Sequence, residues 1–189
     1  MTSYPEWLAA AIASDAAEGR GVLPGEIRSL AADVHVVGPA RVLLLSRDDN
    51  LSLRAAMDAP VAGSVLVAAG GSASRTAMMG GLMALEMRNL GFLGIVTDGL
   101  VRDVREIREL GLGVWCCGLS PAAPQKDGPV LVGEPVAIGG VVVHDGDLVI
   151  ADDDGVVVWP RARIPELLTR AEAKYHADNE RLARLQGKG

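Results

Sequence analysis

Aromatic rings are the scarcest component of this 189-residue sequence: three Trp, two Tyr and one Phe make up 3% of it. Hydrophobic residues still reach 49%, so a core has to be assembled from Ala, Val, Leu and Ile, side chains that favour close packing of helices on a sheet. Cysteine is nearly absent. The two present, Cys116 and Cys117, are neighbours in the apolar run VWCC, where intramolecular pairing is awkward and no metal-type spacing exists. A disulfide framework and a zinc site are thereby excluded, and both cysteines read as buried thiols in a reducing compartment. His35, His144 and His176 are scattered, without ligand spacing. No basic block occurs, and the formal charge of -6 argues against a surface that neutralises phosphates, so nucleic acid is not an expected partner. Also missing is any apolar run near the roughly 20 residues a membrane span needs. A basic segment leading into an apolar one is not found at the start either, so a cytoplasmic protein without a membrane partner is expected. There is no dinucleotide fingerprint and no Ser/His/Asp triad. Ser72 and Ser74 in GGSAS lack the nucleophile-elbow pattern.

The length suits one domain, residues 1–189, able to bury a full core without staples. WLAAAIASDAAEG predicts a helix that stops at Gly19 or before. Residues 34–37 and 41–45 read as strands around a Gly38-Pro39 turn, and 50–57 as a helix capped by Asn50. An α/β alternation follows: strand 64–69, a mainly helical stretch 74–90, strand 92–97, helix 102–110, strand 114–117. After the loop 120–133, PVAIGG, VVVHDGD, LVIADDDG and VVVWP predict an antiparallel meander, in which ADDDG supplies hairpin-turn chemistry rather than a cation site. A last helix runs from about 165 to 186, with Pro165 in its first turn and Gly187 as its stop. Its narrow stripe of Leu167, Leu168, Leu182 and Leu185 suits packing on a neighbouring subunit. Internal repeats and low-complexity segments are lacking. The expected fold class is a layered α/β domain with an antiparallel C-terminal meander and a C-terminal helix.

Chemistry is concentrated between residues 70 and 103, where two strand ends and their loops face one crevice. The loop AAGGSASRTAMMGG carries Gly70, Gly71, Gly80 and Gly81 and leads into a helix. Free N–H groups of Leu82 and Met83 at that start suit a carboxylate or phosphate, although the glycines equally serve tight turns or helix–sheet packing. Met78, Met79, Met83 and Met87 read as core. The second loop, IVTDGLVRDV, places Asp98, Gly99, Arg102 and Asp103 together. Arg102 can grip a carboxylate through two hydrogen bonds, and Asp103 offers hard oxygens for a hydrated Mg²⁺. On spacing alone, Asp98 serves equally as a helix cap, with Arg102 and Asp103 solvated or paired with Glu106.

TDGLVRD, behind the Gly-rich loop and ahead of GGVVVHDGDLVIADDDGVVVWP, resembles the RraA-like family, which includes the class II 4-hydroxy-4-methyl-2-oxoglutarate/4-carboxy-4-hydroxy-2-oxoadipate aldolases. SDA at 14–16, GPA at 38–40, LSP at 119–121 and NERLARLQG at 179–187 extend the likeness over most of the chain. The resemblance implies the swivelling β/β/α fold and a homotrimer or hexamer with sites between subunits. It also implies a Mg²⁺- or Mn²⁺-dependent lyase that cleaves a 4-hydroxy-2-oxo acid to pyruvate and a carbonyl product, with oxaloacetate decarboxylation as a companion activity. On this likeness Asp103 holds the metal and Arg102 the enolate or carboxylate oxygen. Gly80, Gly81, Leu82 and Met83 form the substrate-binding segment, and Glu180 reaches in from a neighbouring subunit's C-terminal helix. One departure stands out: the aldolases carry an Asp where this chain has Gly81. Loss of such outer support can lower metal affinity or activity about 10- to 100-fold. Glu86 or another carboxylate then substitutes, or the reaction is changed, or the chain is a noncatalytic interaction protein like the RNase-regulating branch of the family.

Overall fold

A computed structural model of the chain describes residues 4–187. Helix α1 (Ala10–Ala16) leads through a loop to a short strand β1 (Arg28–Ser29). Strand β2 (Val36–Leu44), helix α2 (Leu51–Asp58) and strand β3 (Val65–Ala69) follow. Next come β4 (Ala77–Met79), α3 (Gly81–Asn89), β5 (Gly94–Thr97), β6 (Leu100–Val101), α4 (Val104–Leu110), β7 (Gly113–Cys116) and β8 (Gly118–Leu119). The C-terminal part holds β9 (Val136–Ile138), β10 (Val141–Val143), β11 (Leu148–Asp152), β12 (Gly155–Trp159) and the long helix α5 (Ile164–Leu185).

One seven-stranded sheet, ordered β1-β7-β5-β3-β2-β11-β12, organises the molecule. Its centre, β2, β3, β5 and β7, is parallel, and β1, β11 and β12 add antiparallel edges. Parallel strands covered on both faces read as unbroken apolar runs, and β3 does: all five of its residues are buried. Leu66 and Ala68 point to one core with Leu53, Met57, Met87 and Ile107 from α2, α3 and α4. Val65, Val67 and Ala69 point to the other, with Trp115, Val136, Ile138 and Val143. This period of two divides each buried strand between two layers. A third cluster joins α1 and α5 to the β11–β12 end through Leu148, Ile150, Val157, Trp159 and Leu167.

Several expectations hold and several change. The helix at the N-terminus, strands β3, β5 and β7, and the final helix are present, and Gly187 closes α5 with a positive φ of 66°. The antiparallel C-terminal part is present as two hairpins. The pair β9–β10 forms its own ribbon, and β11–β12 turns at Asp153-Asp154 and extends the main sheet. Gly38-Pro39 is not a turn but lies inside the continuous strand β2. The ladder to β3 begins only at Ala40↔Val65, so the missing N–H of Pro39 removes no bond there. A Cβ on Gly38 would come within 2.6 Å of the Leu93 side chain. Residues 74–90 are not one helix. Asp48 accepts the N–H groups of Arg75 and Thr76 at 2.6 and 3.1 Å, and β4 pairs with β6 before α3 starts. Asn50 precedes α2 without a side-chain cap bond. Asp49 accepts the Leu51 N–H at 2.8 Å instead, and the Asn50 amide donates to the Met78 carbonyl at 2.9 Å. Cys116 is buried but Cys117 is exposed. Among the described residues no helix is long and apolar enough to cross a membrane.

Candidate functional site

The carboxyl ends of β3, β5 and β7 each continue into a short strand of a second, parallel sheet, ordered β4-β6-β8. Two loops are therefore held side by side just beyond the main sheet. Asp98 fastens them: its carboxylate accepts the N–H groups of Gly70 and Gly71 at 3.2 and 2.7 Å, a role different from the helix cap considered above. Gly70 takes a left-handed φ of 91°, and a Cβ on Gly71 would come within 2.5 Å of the Gly99 Cα. These glycines are close-approach residues.

Further along, Arg102 donates its N–H to the Met79 carbonyl at 3.0 Å, which sets Gly80 and Gly81 against Arg102 and Asp103. Asp103 precedes α4 with φ 59° and ψ 44°, a left-handed conformation that turns its carboxylate back toward α3. Helix α4 consequently begins at Val104, later than the sequence pattern suggested. Asp103 Oδ2 accepts the Gly81 N–H at 3.0 Å and lies 3.8 Å from Arg102 Nε. Both side chains are partly open, at 38% and 45% exposure, so their pairing is weak and leaves Arg102 available to a ligand. A Cβ on Gly80 would fall 2.3 Å from Asp103 Oδ2 and 3.1 Å from Arg102 Nε. A side chain there would have to displace the Asp103 carboxylate.

This corner is one wall of a cavity of about 320 Å³, within the range for a small-molecule site. Gly80, Leu82, Met83, Arg102 and Asp103 all line it, so five of the residues named from the sequence converge. Gly81 adjoins it through its N–H on Asp103. The N–H groups of Leu82 and Met83, in the first turn of α3, have no acceptor among the described residues, and with Arg102 they make an anion-favouring wall. The Leu82 side chain is 86% exposed at this opening.

Two charged lining residues, Arg54 and Lys126, were not singled out in the sequence, whereas Glu86 was named there as a candidate substitute acid. Arg54 and Glu86 face each other in a two-point ion pair at 2.7 and 2.9 Å, so Glu86 is committed. Lys126 lines the cavity with no ion-pair partner within 4 Å among the described residues. Its loop is held by Asp49, which accepts the N–H groups of Asp127 and Gly128 at 2.8 and 3.0 Å. Burial opposes ionisation of Asp49, but the N–H groups of Leu51, Gly128 and Asp127 outweigh it and keep the carboxyl below its usual range. A lone Lys between Pro124 and Gly128 was the available signal.

Glu180 is placed elsewhere. It is an exposed residue of α5, and within one chain it does not line this cavity. The serines play other parts: Ser74 Oγ accepts the Asp48 N–H at 3.0 Å. Although Cys117 reaches solvent, desolvation by the surrounding protein, with Asp98 and Glu26 nearby, pushes its thiol up, so it is a poor nucleophile. A larger cleft of about 550 Å³, beside Arg28, Asp153 and Asp154, contains none of the candidate catalytic, substrate-binding or metal residues named from the sequence.

For a metal, the corner offers the Asp103 carboxylate, with one oxygen free of hydrogen bonds among the described residues. Among the described residues no group of three His, Cys, Asp or Glu side chains gathers to hold an ion. That donor set fits a hard cation which keeps several waters and takes further oxygens from a ligand, as Mg²⁺ does.

The profile of the RraA-like family, described as Aldolase/RraA, matches residues 10–158. The chain is 33% identical over 138 residues to a Thermus thermophilus 4-hydroxy-4-methyl-2-oxoglutarate aldolase, covering 73% of this chain and 84% of that one. It is 35% identical over 167 residues to a Halalkalibacterium halodurans protein provisionally given the same name, covering 88% and 79%. Among solved structures, Streptomyces coelicolor RraAS2, described as an unusual member of the RNase ES inhibitor RraA protein family, superposes with a TM-score of 0.81 at 33% identity, covering 95% of this chain and 93% of that one. The Thermus thermophilus RNA-processing inhibitor RraA gives 0.73 at 31%, covering 85% and 94%. The aldolase relatives support a lyase reading of the family, and the inhibitors share its fold. On sequence profile, relatives and fold together, the chain belongs to the RraA-like family.

Proposed function

We propose that the protein is a divalent-cation-dependent lyase that cleaves a 4-hydroxy-2-oxo acid to pyruvate and a carbonyl product, and that it also decarboxylates oxaloacetate. The observation that carries this reading is the convergence of Arg102, Asp103 and the unpaired N–H groups of Leu82 and Met83 on one 320 Å³ cavity. In both reactions the bond from C3 to its outer carbon breaks and its electron pair passes into an enolate of pyruvate. In the aldol cleavage the C4 hydroxyl loses its proton, and in either case C3 gains one.

Arg102 is assigned to the developing enolate oxygen, where a fixed cation is worth more in the transition state than in the ground state. The Leu82 and Met83 N–H groups take the C1 carboxylate. Lys126 is assigned the second carboxylate of a dicarboxylic substrate, since it lines the cavity with no ion-pair partner among the described residues. A Mg²⁺ or Mn²⁺ carried on Asp103 would supply electrophilic polarisation of the 2-keto oxygen. Gly81 and Gly80 keep Asp103 in place by a hydrogen bond and by room for its carboxylate. The active assembly is a homotrimer or hexamer in the cytoplasm. The exposed Leu182 and Leu185 of α5 pack on a neighbour and bring Glu180 to that neighbour's cavity for proton handling.

Incubation with Mg²⁺ and either oxaloacetate or a 4-hydroxy-2-oxo acid, with pyruvate as readout, tests this. Pyruvate formation well above that of the Arg102→Ala variant is expected; rates no higher than that variant's on both substrates would remove the lyase reading. A second reading, a noncatalytic interaction protein, is favoured by the fold shared with the RraA inhibitors and by the bare position at Gly81. Turnover without any retained protein partner would eliminate it.

A further inference from the structure

The carboxylates around the Asp103 corner are nearly all committed. Glu86 is bound at two points by Arg54, and Asp98 holds the N–H groups of Gly70 and Gly71. Glu106 is different. It sits in the first turn of α4, exposed, three residues after Asp103. Among the described residues its carboxylate has neither a hydrogen bond nor an ion pair.

Its stem lies over Gly81. A Cβ built there would meet Glu106 Cβ at 3.0 Å, Asp103 Cβ at 3.4 Å and Glu106 Cγ at 3.6 Å. A side chain at position 81 and the stem of Glu106 therefore compete for one space, immediately beside the carboxylate that Gly81 anchors through its N–H. The stems of both acids thus border the same small space at Gly81. A hydrated hard dication is ordinarily held by one or two carboxylates, so a second one beside Asp103 lies within the usual donor set.

We infer that Glu106 is the second carboxylate of the Asp103 site, occupying the room left by Gly81 and steadying the hydrated cation. This rests on the metal-dependent reading above. Glu106 is a positioning residue: it adds negative charge and acceptors beside the cation without touching the keto acid. Glu86, tied to Arg54, does not serve in this role.

The test is Mn²⁺ binding to the full chain without substrate, followed by the electron paramagnetic resonance signal of free Mn²⁺. Glu106→Gln is expected to weaken binding about 10- to 100-fold, the usual effect of losing such outer support, with unchanged circular dichroism because the residue is exposed. The double variant Glu106→Ala/Gly81→Asp, which moves the carboxylate across the contested space, should bind more tightly than Glu106→Ala/Gly81→Asn. Wild-type affinity in Glu106→Gln would overturn the inference and leave the lyase reading standing. Failure of the wild-type protein to bind Mn²⁺ would overturn both. A partner role unconnected with the cation would leave Mn²⁺ affinity unmoved in every variant.

Discussion

Gly80→Ala is the sharpest test of the geometry around Asp103. The added methyl would lie 2.3 Å from Asp103 Oδ2, where ordinary contact begins near 3.4 Å, so the carboxylate has to retreat by about 1 Å. A retreat in that direction breaks its 3.0 Å hydrogen bond from the Gly81 N–H and crowds Arg102, whose Nε and Cγ would both lie 3.1 Å from the methyl. Misplacement of a reacting group by about 1 Å can lower a rate roughly 100-fold. Stability should hardly move. Gly80 has an extended backbone, φ -137° and ψ -169°, that Ala adopts freely, and removing glycine's freedom in the unfolded chain offsets part of the strain. We expect pyruvate formation, coupled to lactate dehydrogenase, to fall about 100-fold, with a Tm within about 3 °C of wild type. Undiminished turnover in Gly80→Ala would refute the placement of Asp103 at the reacting centre.

Lys126→Ala should raise KM for a dicarboxylic 2-oxo acid about tenfold, as for loss of one charge-assisted contact, while leaving kcat and monocarboxylic substrates little changed. Steady-state kinetics on the two substrate types checks this. Asp49 has a folded-state carboxyl held below 3.8, so its contribution to stability is complete above that value and is lost as pH falls through the lowered folded-state value. Asp49→Asn should therefore flatten the acid limb of the stability profile below about pH 4. It should also lower stability at neutral pH by about 1–3 kcal/mol through weakened hydrogen bonds to the buried group, both measurable by urea unfolding. Leu66→Ala, at a fully buried position in the core under α2 and α3, should cost about 2–5 kcal/mol by chemical denaturation.

The readable part of the fold was the part set by local pattern. β3 is apolar throughout because both its faces are covered, and ADDDG turns a hairpin because Asp and Gly tolerate its geometry. The two loops that carry Arg102, Asp103 and the Gly80–Met83 segment follow adjacent parallel strands, so their meeting was visible from α/β alternation. What was hidden depends on partners distant in sequence. Residues 77–79 become a strand because β6 offers a ladder and Asp48 captures the preceding N–H groups, neither of which local propensity records. Pro39 sits inside β2 because β3 starts one residue later on that side. Lys126 reaches the cavity because residues distant in sequence hold its loop: Asp49 accepts the Asp127 and Gly128 N–H groups, and Gln125 exchanges backbone hydrogen bonds with Asp48 and Asn50. Glu86 looked like a spare acid until Arg54 was seen bound to it.

The central claim is that Asp103 and Arg102 together hold a cation and the oxygens of a small keto acid. A crystal soaked with Mg²⁺ and pyruvate tests it most directly. The expected density shows the ion on the Asp103 carboxylate, with pyruvate bridging from it to Arg102 and the start of α3. Pyruvate and ion bound elsewhere, with Arg102 and Asp103 turned to solvent or to other protein groups, would contradict the account.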